Sequence, residues 1–162
     1  MTRGYKSNPP GGCDSDCTII IDQEILNRRL SYGEKYSRCM SEFLNELSCH
    51  YSLRLLVADK VLQSIEARPA LEELRLEGTV SEDDIIYSSQ LKYPLADKRS
   101  FQVAAALAGR RPENCILLSG NPILLLAALA AGMKTLSFPV PEEAGPGGAR
   151  MIGQRLAKAG EI

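Results

Sequence analysis

The feature that most constrains this chain is the run Thr18-Ile19-Ile20-Ile21, four β-branched residues in succession that end at Asp22. Branching at Cβ stiffens χ1 and disfavours the helix, so the run reads as a strand. It lacks the apolar–polar alternation of a strand with one wet face. An unbroken apolar strand belongs inside a parallel sheet, covered by helices on both sides. A second run of this kind, Cys115-Ile116-Leu117-Leu118, recurs far downstream between two helical patterns. Strand and helix in alternation predict an α/β protein, a Rossmann-like parallel sheet flanked by helices.

Tyr36, Met40, Phe43, Leu44 and Leu47 recur at spacings of three and four and give one apolar stripe of a helix. A second helix is predicted over 52–67, with Leu53, Leu56, Val57, Val61, Leu62 and Ile65 inward. Pro69 is read as a new helical start, after which Leu71, Leu74 and Leu76 continue the packing to Gly78. The stretch 27–78 thus reads as helical. Ser81-Glu82-Asp83-Asp84 is a capping or turn segment before the short apolar stretch Ile85-Ile86-Tyr87. A helix over 97–108 carries Phe101, Val103, Ala104 and Leu107 and stops at Gly109, a natural C-cap. Ser119-Gly120-Asn121 forms a turn before Pro122, which suits the first turn of a helix. The apolar run 122–133 reads as a buried core helix, with 123–126 on the sheet, and 134–140 as the last strand. The expected organisation is an N-terminal arm over 1–17, broken by Pro9-Pro10-Gly11-Gly12, and an α/β domain over 18–140. A Pro/Gly loop with a short helix follows over 141–162.

The 162 residues suit one hydrophobic core rather than two. Nineteen basic residues against twenty acidic ones leave a net charge of −1, too little for a phosphate-tracking surface, so no nucleic-acid partner is expected. The doublets Arg28-Arg29 and Arg110-Arg111 read as solvated faces. No run reaches the ~20 apolar residues of a membrane span, so no membrane insertion is expected. Five scattered cysteines and a single histidine, His50, do not make a metal site; they suit a reducing, intracellular compartment. Tyr32, Tyr36 and Tyr51 read as packing residues.

The back half of the chain carries a more specific pattern. It runs Asp97-Lys98-Arg99-Ser100-Phe101, then Gly109, Pro112-Glu113-Asn114, the strand 115–118, and Ser119-Gly120-Asn121-Pro122. It closes on Ala127-Ala128-Leu129-Ala130-Ala131-Gly132-Met133. In order and spacing this resembles the C-terminal half of haloacid-dehalogenase (HAD) superfamily hydrolases. Upstream, Ile19-Ile20-Ile21-Asp22-Gln23-Glu24 resembles that family's first motif, an apolar strand ending in Asp-x-Asp. The resemblance implies a HAD-like fold in which the helical segment 27–78 is a small cap-like insertion and Asp22 stands at the position of a nucleophile that forms an aspartyl-phosphate. It implies that Glu24 stands where an Asp acts as acid and base. A Ser or Thr and a Lys would hold the phosphoryl oxygens, and acids after the fourth motif's strand would hold Mg²⁺.

The departures from that pattern bear on function. Glu24 is one methylene longer than the expected Asp, and Ile25 and Leu26 replace the small residue and Thr that usually follow. Gly120 and Leu124 fall on the two metal-binding acids, and Leu95 falls on the Lys. Lys92 and Lys98 lie three residues to either side of Leu95. The second motif has only Gly78-Thr79-Val80-Ser81 as a candidate. Two readings follow. In the first, the domain has lost phosphohydrolase activity, needs no cofactor, and is a binding or structural subunit partnered by another protein or by its own copies. Asp22 is then a helix or turn cap. In the second, it is an atypical hydrolase using Asp22 as nucleophile and Glu24 as acid/base. Ser119, Asn121 and Lys92 or Lys98 would then hold phosphate, and Mg²⁺ would enter only on this reading. As alternate residues of an extended segment, Asp22 and Glu24 would face the same side.

Overall fold

The computed structural model describes residues 17–58 and 61–138, and within 61–66 the backbone alone. The expected arm over 1–16, the chain after 138 and the helix expected there lie outside the described residues. Five strands, β1 (Thr18–Asp22), β2 (Ser52–Val57), β3 (Ile85–Tyr87), β4 (Cys115–Ser119) and β5 (Lys134–Ser137), form one sheet in the order β3-β2-β1-β4-β5. Every pairing is parallel. Ile19, Ile20 and Ile21 are all essentially without solvent exposure, which explains why their sequence shows no alternation. Their side chains nevertheless alternate between layers: Ile19 and Ile21 face one half of the core, and Ile20 the other.

The first half of the core lies under α1 (Gln23–Asn27), α2 (Arg29–Leu47) and α3 (Val61–Glu73). Tyr36, Met40, Phe43, Leu44 and Leu47 are the buried stripe of α2, as their spacing predicts. The helix is broken at Gly33, whose φ of 82° is a conformation that glycine adopts without steric cost. The other half lies under α4 (Lys98–Leu107) and α5 (Pro122–Ala130), where Phe101, Ala104 and Ala105 of α4 and Leu124, Ala127 and Ala128 of α5 meet Leu117 and Leu56. Burying a side chain such as Phe101 or Ile19 contributes about 2 kcal/mol each. The result is a three-layer α/β/α arrangement.

Several sequence expectations need correction. Residues 52–57 are not helical. They form β2, paired to β1 along its length, with Leu53, Leu55 and Val57 on one face and Leu56 on the other. The stretch 27–78 therefore contributes a strand to the centre of the sheet. Helix α3 continues through Pro69, where a new start was expected. Gly78 to Ser81 is not a strand but part of the connection into a short 3-10 turn, Glu82–Asp84, capped by Ser81 and Asp84. The last strand is shorter than expected, ending at Ser137, and 139–140 lie outside the described residues. Cys17, assigned to the arm, is buried. Helix α5 is not wholly buried, because Ile123, Leu126 and Leu129 point outward at 57–68% exposure. Arg29 is no solvated residue either: it is 4% exposed and pairs with Glu73 at 2.6 Å, tying α2 to α3. Arg110 donates to Thr18 Oγ1 at 3.0 Å. Of the three tyrosines, Tyr36 is buried and Tyr51 packs against the core, but Tyr32 is exposed. Among the described residues no helix is long and apolar enough to cross a membrane.

Candidate functional site

The strand order reverses between β1 and β4, because β2 and β3 are added on one side of β1 and β5 on the other. Chain leaving the C-terminal ends of β1 and β4 departs to opposite faces, which opens a crevice at that end of the sheet, where open α/β sheets place ligands. Asp22, the last residue of β1, stands at this crevice. It is also the N-cap of α1, and its Oδ1 accepts the Glu24 N–H at 3.2 Å. Its Oδ2 accepts from the hydroxyl of Ser119, the last residue of β4, at 2.8 Å. Ser119 Oγ accepts the Asn121 N–H at 3.0 Å, and Asn121 caps α5 by accepting the Ile123 N–H at 2.9 Å. The Ser119 carbonyl accepts the Phe138 N–H at 3.0 Å. The ends of β1, β4 and β5 are thus joined through one serine.

Asp22 is 7% exposed. Burial pushes its carboxyl above the ordinary carboxylate value, against the hydrogen bonds from Ser119 and the Glu24 N–H, which favour the charged form. Glu24 is exposed and does not continue β1. The chain turns into α1 at Gln23, so the expected extended Asp-x-Glu is instead a cap and a first helical turn. Both side chains still line one cleft of about 460 Å³.

That cleft gathers the positions the sequence singled out from separate segments. Gly120, Asn121 and Leu124 line it from the β4–α5 turn, and Leu95 from the loop before α4. Lys92 and Lys98 are exposed and do not line it. Leu56 and Ala58 line it from the end of β2, the strand beside β1. The segment 78–81, read as the second motif, does not; Ala58, the residue after β2, brings only a methyl group to the cleft.

Arg28 is the site residue that sequence reasoning missed. It occupies the junction between α1 and α2 and lines the cleft. Its guanidinium carbon lies 5.6 Å from the centre of the Phe138 ring, and the group hydrogen-bonds to the Tyr36 hydroxyl. Tyr36 in turn donates to the Ile25 carbonyl at 2.8 Å. A Cβ on Gly120 would run into the Arg28 Nη2. One half of a basic doublet carries no signal of this placement, which depends on a glycine far along the chain.

Magnesium requires a near-octahedral shell of oxygens at about 2 Å. Gly120 and Leu124 offer no side-chain oxygen, and Arg28 brings a positive charge into the same cleft. No group of three or more His, Cys, Asp or Glu side chains converges among the described residues. The cleft does not fit a divalent metal.

No protein-family model matches the sequence, and no curated protein matches it. Solved structures do match in shape. An uncharacterised protein from Corynebacterium glutamicum ATCC 13032 Kitasato superposes with a TM-score of 0.55 at 16% identity, covering 90% of this chain and 96% of that one. A protein assigned as a beta-phosphoglucomutase from Bacteroides vulgatus gives 0.60 at 10% identity, covering 90% and 91%. A haloacid dehalogenase-like family hydrolase from Xanthomonas campestris gives 0.53 at 14%, covering 76% and 56%. At these identities the likeness establishes the fold alone, a parallel sheet between helix layers that this chain shares with those structures.

Proposed function

We propose that this is a HAD-fold domain without metal-dependent phosphohydrolase activity, acting as a binding or structural subunit of a larger assembly. The observation that carries this reading is the lining of the cleft. Gly120, Leu124 and Leu95 stand around Asp22, at the positions where the resemblance places two metal-binding acids and a lysine. A phosphoryl group brought to Asp22 would find no carboxylates at positions 120 and 124 to hold a metal ion, and Arg28 as the cation lining the cleft. The partner in this reading is a protein, and the exposed stripe of Ile123, Leu126 and Leu129 on α5 supports a protein contact.

A second reading has a specific observation in its favour. Asp22 is buried and oriented by Ser119, and Glu24 lines the same cleft, as an acid/base partner must. One assay separates the two. Turnover of a generic phosphomonoester is measured with and without Mg²⁺ for the wild type and for Asp22→Asn. The subunit reading expects the two proteins to be indistinguishable at background rate. Turnover that Asp22→Asn abolishes would establish the hydrolase.

A further inference from the structure

The Arg28 guanidinium lies in the space that any side chain at position 120 would occupy. This is a relation between two residues from different elements, one at the α1–α2 junction and one in the turn after β4. Glycine is the only residue that leaves the room. The guanidinium is held there by more than the gap: the Phe138 ring lies beneath it, and the Tyr36 hydroxyl accepts one of its hydrogen bonds. Phe138 and Tyr36 pack edge to face at 6.3 Å, and the Phe138 backbone is fixed to Ser119. Asp22 and Glu24 line the same cleft, and the Arg28 charge acts on the Asp22 carboxyl.

We propose that Arg28 is the built-in cation of the cleft, seated where Gly120 has no side chain, and that it bars a divalent ion even when a third carboxylate is supplied at position 120. A guanidinium cannot be deprotonated at any working pH and repels a second cation close by. Gly120 and Arg28 then act as a matched pair, and changing either alone does not open the site. Arg28→Ala leaves two carboxyl groups, one of them bound to Ser119, which is too few oxygens for a tight divalent site. Gly120→Asp supplies a carboxylate that pairs with Arg28 instead. Only the double variant, Arg28→Ala with Gly120→Asp, brings three carboxyl groups together with no guanidinium among them. This inference goes beyond the proposed function, since a cleft with its own cation stands whether or not Asp22 turns over a phosphate ester.

Calorimetric titration with Mn²⁺ and Mg²⁺ of the wild type, both single variants and the double variant tests it. The expected result is saturable Mn²⁺ binding by the double variant alone, at least about tenfold tighter than by any of the other three. Saturable binding by the wild type, or a folded double variant that binds no better than the singles, would overturn the proposal. Should the double variant not fold, the pairing is read on Gly120→Ala from the Arg28 side-chain N–H signal, which the Phe138 ring shifts in the wild type. The added methyl is expected to remove that shift. An unchanged signal would overturn the proposal by showing that the guanidinium does not depend on the empty position.

Discussion

Asp22 holds a carboxyl group where the sheet leaves it almost no water, and its raised pKa has a consequence for stability. A carboxyl whose folded pKa lies above its unfolded one favours the folded state most when protonated. Its contribution is fully present below the unfolded value near 3.8 and is lost as the pH rises through the folded value. Asp22→Asn keeps an acceptor for the Ser119 hydroxyl and removes the charge. The variant is therefore expected to match the wild type near pH 3 and to exceed it near pH 7, as read by urea unfolding at both. A wild type that gains on the variant as pH rises would contradict this. The neighbouring Arg28 shows the limits of reading residues singly. Arg28 and Arg29 look like an ordinary solvated doublet, yet Arg29 is buried against Glu73 and Arg28 lines the cleft. The doublet itself marks neither placement, because Glu73 beside Arg29 and Phe138 beside Arg28 come from elsewhere in the chain.

At the scale of elements, α5 divides into two faces that its nearly uniform apolar sequence conceals. Leu124 is 7% exposed and packs against the sheet, whereas Leu126 is 68% exposed. Leu124→Ala is expected to cost about 2 kcal/mol or more through the cavity it leaves. Leu126→Ala should change stability by no more than about 0.5 kcal/mol. Equal losses in denaturant midpoints would mean that the outer face of α5 is covered. The same ambiguity hid β2. In 52–57, burial of both faces makes nearly every position apolar, so Leu53, Leu56 and Val57 fit a helical spacing as well as Leu53, Leu55 and Val57 fit a strand. Strand β1 escaped this because three isoleucines in a row favour only one of the two, and β4 because Pro112 and Gly120 bracket it.

In the whole molecule, the parallel sheet and its helix layers followed from those two strands, and the topology explains why the site lies where it does. The reversal of order between β1 and β4 places Asp22 and the Ser119-Gly120-Asn121 turn at one crevice, although they are far apart in sequence. The resemblance had related Asp22, Gly120, Leu95 and Leu124, and all four line this one cleft. It missed the end of β2, since a strand read as a helix has no end to place at the site. The proposed function requires that this crevice does not bind a metal ion together with a phosphoryl group. Calorimetry with Mg²⁺ and a phosphate-mimicking fluoride complex, on the wild type and on Asp22→Asn, tests it most directly. No saturable heat is expected from either protein. Tight binding by the wild type that Asp22→Asn abolishes would contradict it and show a working phosphoryl site built around Asp22.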